Sequence, residues 1–139
     1  MEQYDRKLIR EEIKLSFPKA TYTCYMENND ENKYVEVFDY SDKLISLEIQ
    51  PFGEIIMDNT LNINIKYNNP FNTKFENFKE FFESRLKFEG GGKAYFYEDR
   101  ITIFHRSPRT TNRFEASMEK AKIFKKVANT ILEFIDYNK

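Results

Sequence analysis

Four of the chain's seven arginines and its only histidine fall within one segment, residues 100–113, RITIFHRSPRTTNR. The arginines are Arg100, Arg106, Arg109 and Arg113, and the segment contains no acidic residue. A guanidinium group is a planar fork of N–H donors that binds carboxylates and phosphates and stacks on aromatic rings. Tyr95 and Tyr97 alternate on the preceding predicted strand and can present both rings beside the arginines. The sequence therefore predicts a partner-binding surface made of these six residues.

The class of partner is left open by this pattern. Arginine beside aromatic rings on a sheet is one way to bind single-stranded nucleic acid. A net charge of −1 argues against a protein built mainly to neutralise a nucleic-acid backbone, although it permits a local patch. Surface charge that only keeps the chain in solution is a further interpretation of the same arginines. Another protein is the first expectation for the partner, and nucleic acid is the alternative.

Three of the four glycines stand together at 90–92 and are followed by Lys93. A phosphate-binding loop needs a strand before the glycines, a helix after them, and a Ser or Thr after the lysine. Here a predicted helix comes first and a strand follows, and Ala94 takes the place of the hydroxyl residue. We therefore predict that one glycine caps the helix. The other two form a flexible hinge that presents the tyrosine strand, or they let another group approach the backbone closely.

Residues suited to catalysis are few and scattered. His105 alternates with Ile101 and Ile103, which predicts that it lies on the apolar face of its strand. Cys24, the only cysteine, lies on a strand far away in sequence, and no Cys and His spacing is typical of a zinc site. We expect no catalytic residue, no cofactor and no metal. An enzyme or small-molecule binder with an unrecognised pocket is the second alternative.

Charge is distributed unevenly along the chain. Residues 27–58 contain nine acidic and two basic residues, whereas residues 85–139 contain twelve basic and seven acidic residues. Such a bipolar molecule could associate with itself as a homodimer, or it could offer an acidic face to a basic partner. The alternative is that both regions are simply solvated surface.

Periodicity predicts the elements that position these residues. Helical spacing predicts three helices: residues 4–17, a segment from the Thr73–Glu76 capping box to the glycine triplet, and residues 113–137. The last helix has an apolar face wide enough to pack against the sheet and a partner as well. Strand patterns cover residues 20–26, 33–39, 43–49, 54–57, 61–67, 93–98 and 100–106.

Alternation with short connections is typical of an antiparallel sheet with one solvated face. We expect a single α+β domain, residues 1–139, with one antiparallel sheet of about five to seven strands, helices packed on one face, and the order α-βββββ-α-ββ-α.

Composition adds expectations about setting. Residues with AT-rich codons (Phe, Tyr, Met, Ile, Asn and Lys) number 68 of 139, which indicates an AT-rich genome and is compatible with a phage or another mobile element. One cysteine, no signal-peptide pattern and no long apolar run predict a cytoplasmic protein without a membrane partner. The first expectation is a small non-enzymatic protein-binding module of the inhibitor, immunity or adaptor type.

Overall fold

The computed structural model describes residues 2–26, 34–51, 60–68, 75–88, 92–97, 100–106 and 113–137. Three helices and six strands lie in these ranges, in the order α-ββββ-α-ββ-α. They are α1 (Glu2–Ser16), β1 (Thr21–Met26), β2 (Tyr34–Ser41), β3 (Ile45–Gln50), β4 (Thr60–Tyr67), α2 (Phe75–Arg85), β5 (Gly92–Phe96), β6 (Arg100–Arg106) and α3 (Arg113–Tyr137). The strand predicted at 54–57 lies outside the described residues.

The six strands form one antiparallel sheet in the order β1-β2-β3-β4-β6-β5. Among the described strands, β4 and β6 are the only neighbours that are not consecutive in the chain, because α2 and β5 come between them. This sheet with three helices confirms the α+β prediction.

All three helices contribute to a core on one face of the sheet. Ile9 and Ile13 in α1 and Phe17 directly after it recur at helical spacing and are buried. Pro18 ends this helix, because the residue before a proline avoids the helical region. The wide apolar face of α3 packs against both other helices. Phe124 contacts Phe17 at the end of α1, with ring centroids 6.4 Å apart, and Phe134 contacts Phe78 of α2, with centroids 5.3 Å apart.

Strand alternation decides which side chains reach the core. In β4, Leu61, Ile63 and Ile65 are fully buried, and the residues between them lie on the other face, as the sequence predicted. In β2 the helices cover the side that carries Glu36 and Phe38, so Val37 belongs to the opposite face. No described helix covers that opposite face. We call it the open face; its strand positions include Asp39, Ser41, Ser46, Glu48, Asn64, Lys66, Lys93, Tyr95, Arg100, Thr102, Phe104 and Arg106.

The predicted glycine cap of the second helix is wrong, because α2 already ends at Arg85, before the glycine triplet. The backbone N–H of Leu86 donates to the carbonyl of Phe82 at 2.8 Å, and the Arg85 guanidinium adds a bond to the carbonyl of Phe81 at 3.2 Å, so both stabilise the last turn. Leu86, buried at 4% exposure, then continues into the core.

Gly92 has a packing role instead. A Cβ atom placed there would lie 2.9 Å from the Cβ of Phe88, closer than side chains pack. Gly90 and Gly91 lie outside the described residues.

Candidate binding surface on the open face of the sheet

The predicted surface residues that the structure describes lie together at one side of the open face. Tyr95 on β5 and Arg100 and Arg106 on β6 share this face, and all three side chains are exposed. Tyr97 follows β5, and its ring centroid lies 5.1 Å from the guanidinium carbon of Arg100. A cation at this distance over an aromatic face is attracted by the ring quadrupole. The fold thus brings two of the predicted arginines and both predicted tyrosines to the β5–β6 hairpin.

Two of the six predicted residues remain without a described side chain. Arg109 lies outside the described residues. Arg113 begins α3, and its side-chain position is not described. Their contribution to the surface stays a prediction.

The register adds basic and polar neighbours that the sequence prediction did not single out. Lys66 on β4 lies directly opposite Arg100 on β6. Two residues further along the same strands, the Thr102 hydroxyl donates to the side-chain oxygen of Asn64 at 2.7 Å. On β5, Lys93 is exposed beside Phe104. The basic side of the open face therefore spans β4, β6 and β5.

The other side of the open face is acidic. Asp39 on β2 and Glu48 on β3 lie directly opposite each other, and both are exposed. Neither carboxylate has a hydrogen bond or an ion pair with a residue that the structure describes. The open face thus carries acidic residues from the acidic region 27–58 on one side and basic residues on the other.

A groove with a volume of about 850 Å³ lies where the acidic and basic sides meet. Pockets for small ligands fall in the same range of volume. The groove is lined by Lys19, Thr21, Asp39, Tyr40, Ser41, Asp42, Ser46, Leu47, Glu48, Asn64, Lys66 and Arg100.

Hydrogen bonds hold the floor of this groove in place. The hydroxyls of Ser41 and Ser46 lie 3.0 Å apart, and Ser46 also donates to the side-chain oxygen of Asn68 at 2.7 Å. The amide of Asn68 in turn donates to the backbone carbonyl of Asp42 at 2.8 Å. These bonds link β2, β3 and the end of β4, so the floor is preorganised for a ligand.

The Asp42 carboxylate organises the turn at the end of the groove. It accepts the backbone N–H groups of Leu44 and Ile45 at 2.7 and 2.8 Å, which is typical of an acid that closes a turn. Its second oxygen accepts the Tyr40 hydroxyl at 3.1 Å. Burial, this hydrogen bond and the charge of Asp42 raise the pKa of Tyr40 above its ordinary value. The role of Asp42 is therefore to shape the site.

The two residues with reactive side chains lie away from this groove. His105 is fully buried on the helix-covered side, as its alternation predicted. Its Nε2 lies 2.9 Å from Oε1 of Glu119 on α3, and its Nδ1 has no hydrogen-bond partner among the described residues. Cys24 lies on β1, separated from β6 by three strands, so imidazole and thiol do not meet. In the described ranges no three His, Cys, Asp or Glu side chains are grouped as a metal site requires.

A second ionised cluster lies on the helix-covered side at the β1 edge of the sheet. The guanidinium of Arg10 on α1 binds both carboxylate oxygens of Glu36 on β2, with Nε to Oε2 at 3.0 Å. The Glu36 side chain is 1% exposed and that of Arg10 is 30% exposed. Burial of its hydroxyl, the negative charge of Glu36 and a hydrogen bond with the Cys24 thiol raise the pKa of Tyr22 to about 12.

The sequence prediction missed Lys66, Asp39 and Glu48 as site residues. A signal for each was present, because alternation on β4 already placed Lys66 on the outer face and both acids belong to the acidic region 27–58. What was lacking was the strand order, which makes Lys66 a neighbour of Arg100. The ion pair between Arg10 and Glu36 had no comparable signal in the sequence, because the two residues are 26 positions apart on different elements.

Comparison of the chain with protein-family models, with curated proteins and with solved structures gives no match. Among the described helices, none has the length and apolar character required to span a membrane. The residues of the open face are therefore the basis for a functional proposal.

Proposed function

We propose that this chain is a small protein-binding module, of the inhibitor, immunity or adaptor type, that contacts its partner through the open face of the sheet. The observation that carries the proposal is the position of Tyr95, Tyr97, Arg100 and Arg106. All four side chains are exposed on or beside one hairpin, next to a face that no described helix covers.

The chemistry of these residues supports a protein partner. Tyr and Arg are enriched at the centres of protein interfaces, because each combines a large contact area with directed hydrogen bonds. Tyr95 and Tyr97 are 44% and 48% exposed, so both residues have area left to bury. The acidic side of the same face gives a partner a second charge to match, which adds specificity.

Affinity capture from an extract of the source cell tests this proposal. The wild-type protein is compared with the double variant Tyr95→Ala/Lys93→Glu on β5 and with a matched helix-surface variant, Tyr137→Ala/Lys125→Glu on α3. We expect the wild type and the helix-surface variant to retain the same partner and the β5 variant to lose it. Retention by the β5 variant, with its fold confirmed by circular dichroism, would contradict the proposal.

The same surface supports a second candidate, the binding of single-stranded nucleic acid. Lys93 and Arg100 flank exposed tyrosines, which is the combination of charge and stacking rings that such proteins use. The acids on the same face oppose this function, since they repel phosphates. A labelled oligonucleotide at low salt separates the candidates. If nucleic acid is the partner, Arg100→Gln should lower the slope of log affinity against log salt by about one; no binding at low salt removes this candidate.

Self-association is a further form of protein contact that the bipolar open face could support. The acids on β2 and β3 could meet the bases on β4 and β6 of a second copy. Mass measurement of the free protein at several concentrations decides between a monomer and a homodimer. A cytoplasmic location and an origin in a mobile element stay predictions from composition.

A further inference from the structure

The groove between the acidic and basic sides of the open face contains two pairs of like charges. Asp39 lies directly opposite Glu48, and Lys66 lies directly opposite Arg100. Like charges in directly opposite positions of an antiparallel sheet repel each other and cost stability. Both pairs line the same groove of about 850 Å³. An arrangement that costs stability at a preorganised concave site is typical of a binding site.

Among the described residues, none neutralises either pair. The carboxylates of Asp39 and Glu48 and the ammonium group of Lys66 form no hydrogen bond or ion pair with any described residue. Within the same ranges, the guanidinium of Arg100 interacts with the Tyr97 ring alone. The hydrogen-bonding capacity of these four side chains is therefore available to a ligand, above a floor whose own polar groups are already bonded to one another.

We infer that the groove binds an extended segment of the partner protein that carries a basic side chain and an acidic side chain four residues apart. The basic side chain binds between Asp39 and Glu48. The acidic side chain binds Lys66 and the guanidinium fork of Arg100, which suits a carboxylate. This inference rests on the proposed function and specifies the part of the partner that the open face recognises.

The spacing follows from the register. The midpoints of the two pairs are two strand spacings apart across the sheet and two residues apart along it, or about 12 Å. In an extended chain, side chains four residues apart point the same way and lie about 13 Å apart. Charge complementarity and length therefore select the same ligand, whereas a purely acidic or purely basic segment would satisfy only one pair.

Peptide titration of the isotope-labelled full chain, followed by NMR, tests the inference. The probe is a nine-residue Ser/Thr peptide with one Arg and one Glu four residues apart. Three control peptides replace the Arg, the Glu or both by Gln. We expect the doubly charged peptide to shift amide signals of β2, β3, β4 and β6 and to bind more tightly than each control. Added salt should weaken this binding.

Protein variants assign the two charges. Glu48→Gln and Lys66→Gln should each weaken binding of the doubly charged peptide by about threefold, the size of one exposed ion pair. Glu83→Gln on α2 and Lys125→Gln on α3 are matched controls on exposed helix positions and should leave it unchanged.

Three outcomes would overturn the inference: no shifts in the groove, equal shifts with the uncharged peptide, or equal binding of free arginine and glutamate. The last outcome would assign the groove to small charged molecules. If the peptides fail while Tyr95→Ala/Lys93→Glu still loses the captured partner, only this inference fails and the proposed function stands. If that variant keeps its partner, the proposed function fails regardless of the peptide result.

Discussion

At the residue scale, the described ion pair with the most deeply buried carboxylate lies outside the proposed binding surface. Glu36 is almost fully buried under α1, and the Arg10 guanidinium binds both of its oxygens. A carboxylate removed from water is costly unless it is paired, so this ion pair stabilises the attachment of α1 to the sheet only while both partners are present.

Truncation of Arg10 should therefore destabilise the fold. Arg10→Ala leaves Glu36 buried without its guanidinium partner, and we expect a loss of about 2 kcal/mol in the free energy of unfolding. That value is below the range for a fully buried pair because Arg10 is partly exposed. Urea denaturation measures it, with Lys7→Ala on the exposed side of the same helix as the control. A loss no larger than that of the control would show that the pair contributes little.

Tyr22 provides a pH-dependent test of the same cluster. Its pKa is raised to about 12, first by burial and then by Glu36 and the Cys24 thiol. Because the folded state keeps this proton above the ordinary pKa of about 10, the contribution to stability is complete below pH 10 and is lost as pH rises towards 12. Subtraction of the alkaline absorbance titration of Tyr22→Phe from that of the wild type should isolate one late-titrating tyrosine. A difference curve centred near pH 10 would contradict this assignment.

Residue chemistry was only partly predictable from the sequence. The arginines and tyrosines were found because their types and spacing are visible without a fold. Burial of His105 was predicted because its strand alternates cleanly. Burial of Glu36 was not, because β2 has apolar residues on both faces and its alternation does not decide which face is covered.

At the element scale, Gly92, the first residue of β5, is in close contact with Phe88. A Cβ atom at position 92 would lie only 2.9 Å from the Cβ of Phe88. Because Gly92 lacks this atom, Phe88 has room to pack against the core. This contact brings the start of the tyrosine strand beside β6, where Gly92 pairs with His105. A residue with a side chain at position 92 would displace one of them.

We expect Gly92→Ala to lower the free energy of unfolding by about 1–3 kcal/mol, because the added methyl group overpacks against Phe88. The double variant Gly92→Ala/Phe88→Gly should lose less than the sum of the two single variants, since Phe88→Gly removes the Cβ atom that the added methyl group meets. Thermal or urea unfolding of all three variants measures this coupling, with Lys93→Ala as an exposed neighbour. Strictly additive losses would show that Phe88 does not constrain Gly92.

Element boundaries were predictable where a local signal marks them. Pro18 ends α1 close to the predicted position, and α3 spans the predicted residues 113–137. The end of α2 was misplaced because glycine is a strong stop signal, whereas the arginine that bonds the last turn has no distinctive pattern. The strand order was also beyond the sequence, since register and neighbours depend on contacts between distant segments.

At the scale of the whole molecule, the fold separates two tasks. The helices bury one face of the sheet and hold the core, and the described part of the opposite face carries tyrosines, bases and acids in fixed register. A rigid sheet with a preorganised surface loses little conformational entropy on binding, which favours specific recognition by a small protein. Our central claim is that this open face is where the partner binds.

Hydroxyl-radical footprinting of the captured complex tests that claim most directly. It compares the oxidation of exposed side chains in the free protein and in the complex. Tyr95 and Tyr97 report on the open face, and Met118 and Tyr137, 52% and 80% exposed on α3, report on the helix side within the same sample. We predict that oxidation of Tyr95 and Tyr97 falls in the complex while that of Met118 and Tyr137 is unchanged. Protection of the two α3 residues with full oxidation of both tyrosines would contradict the account.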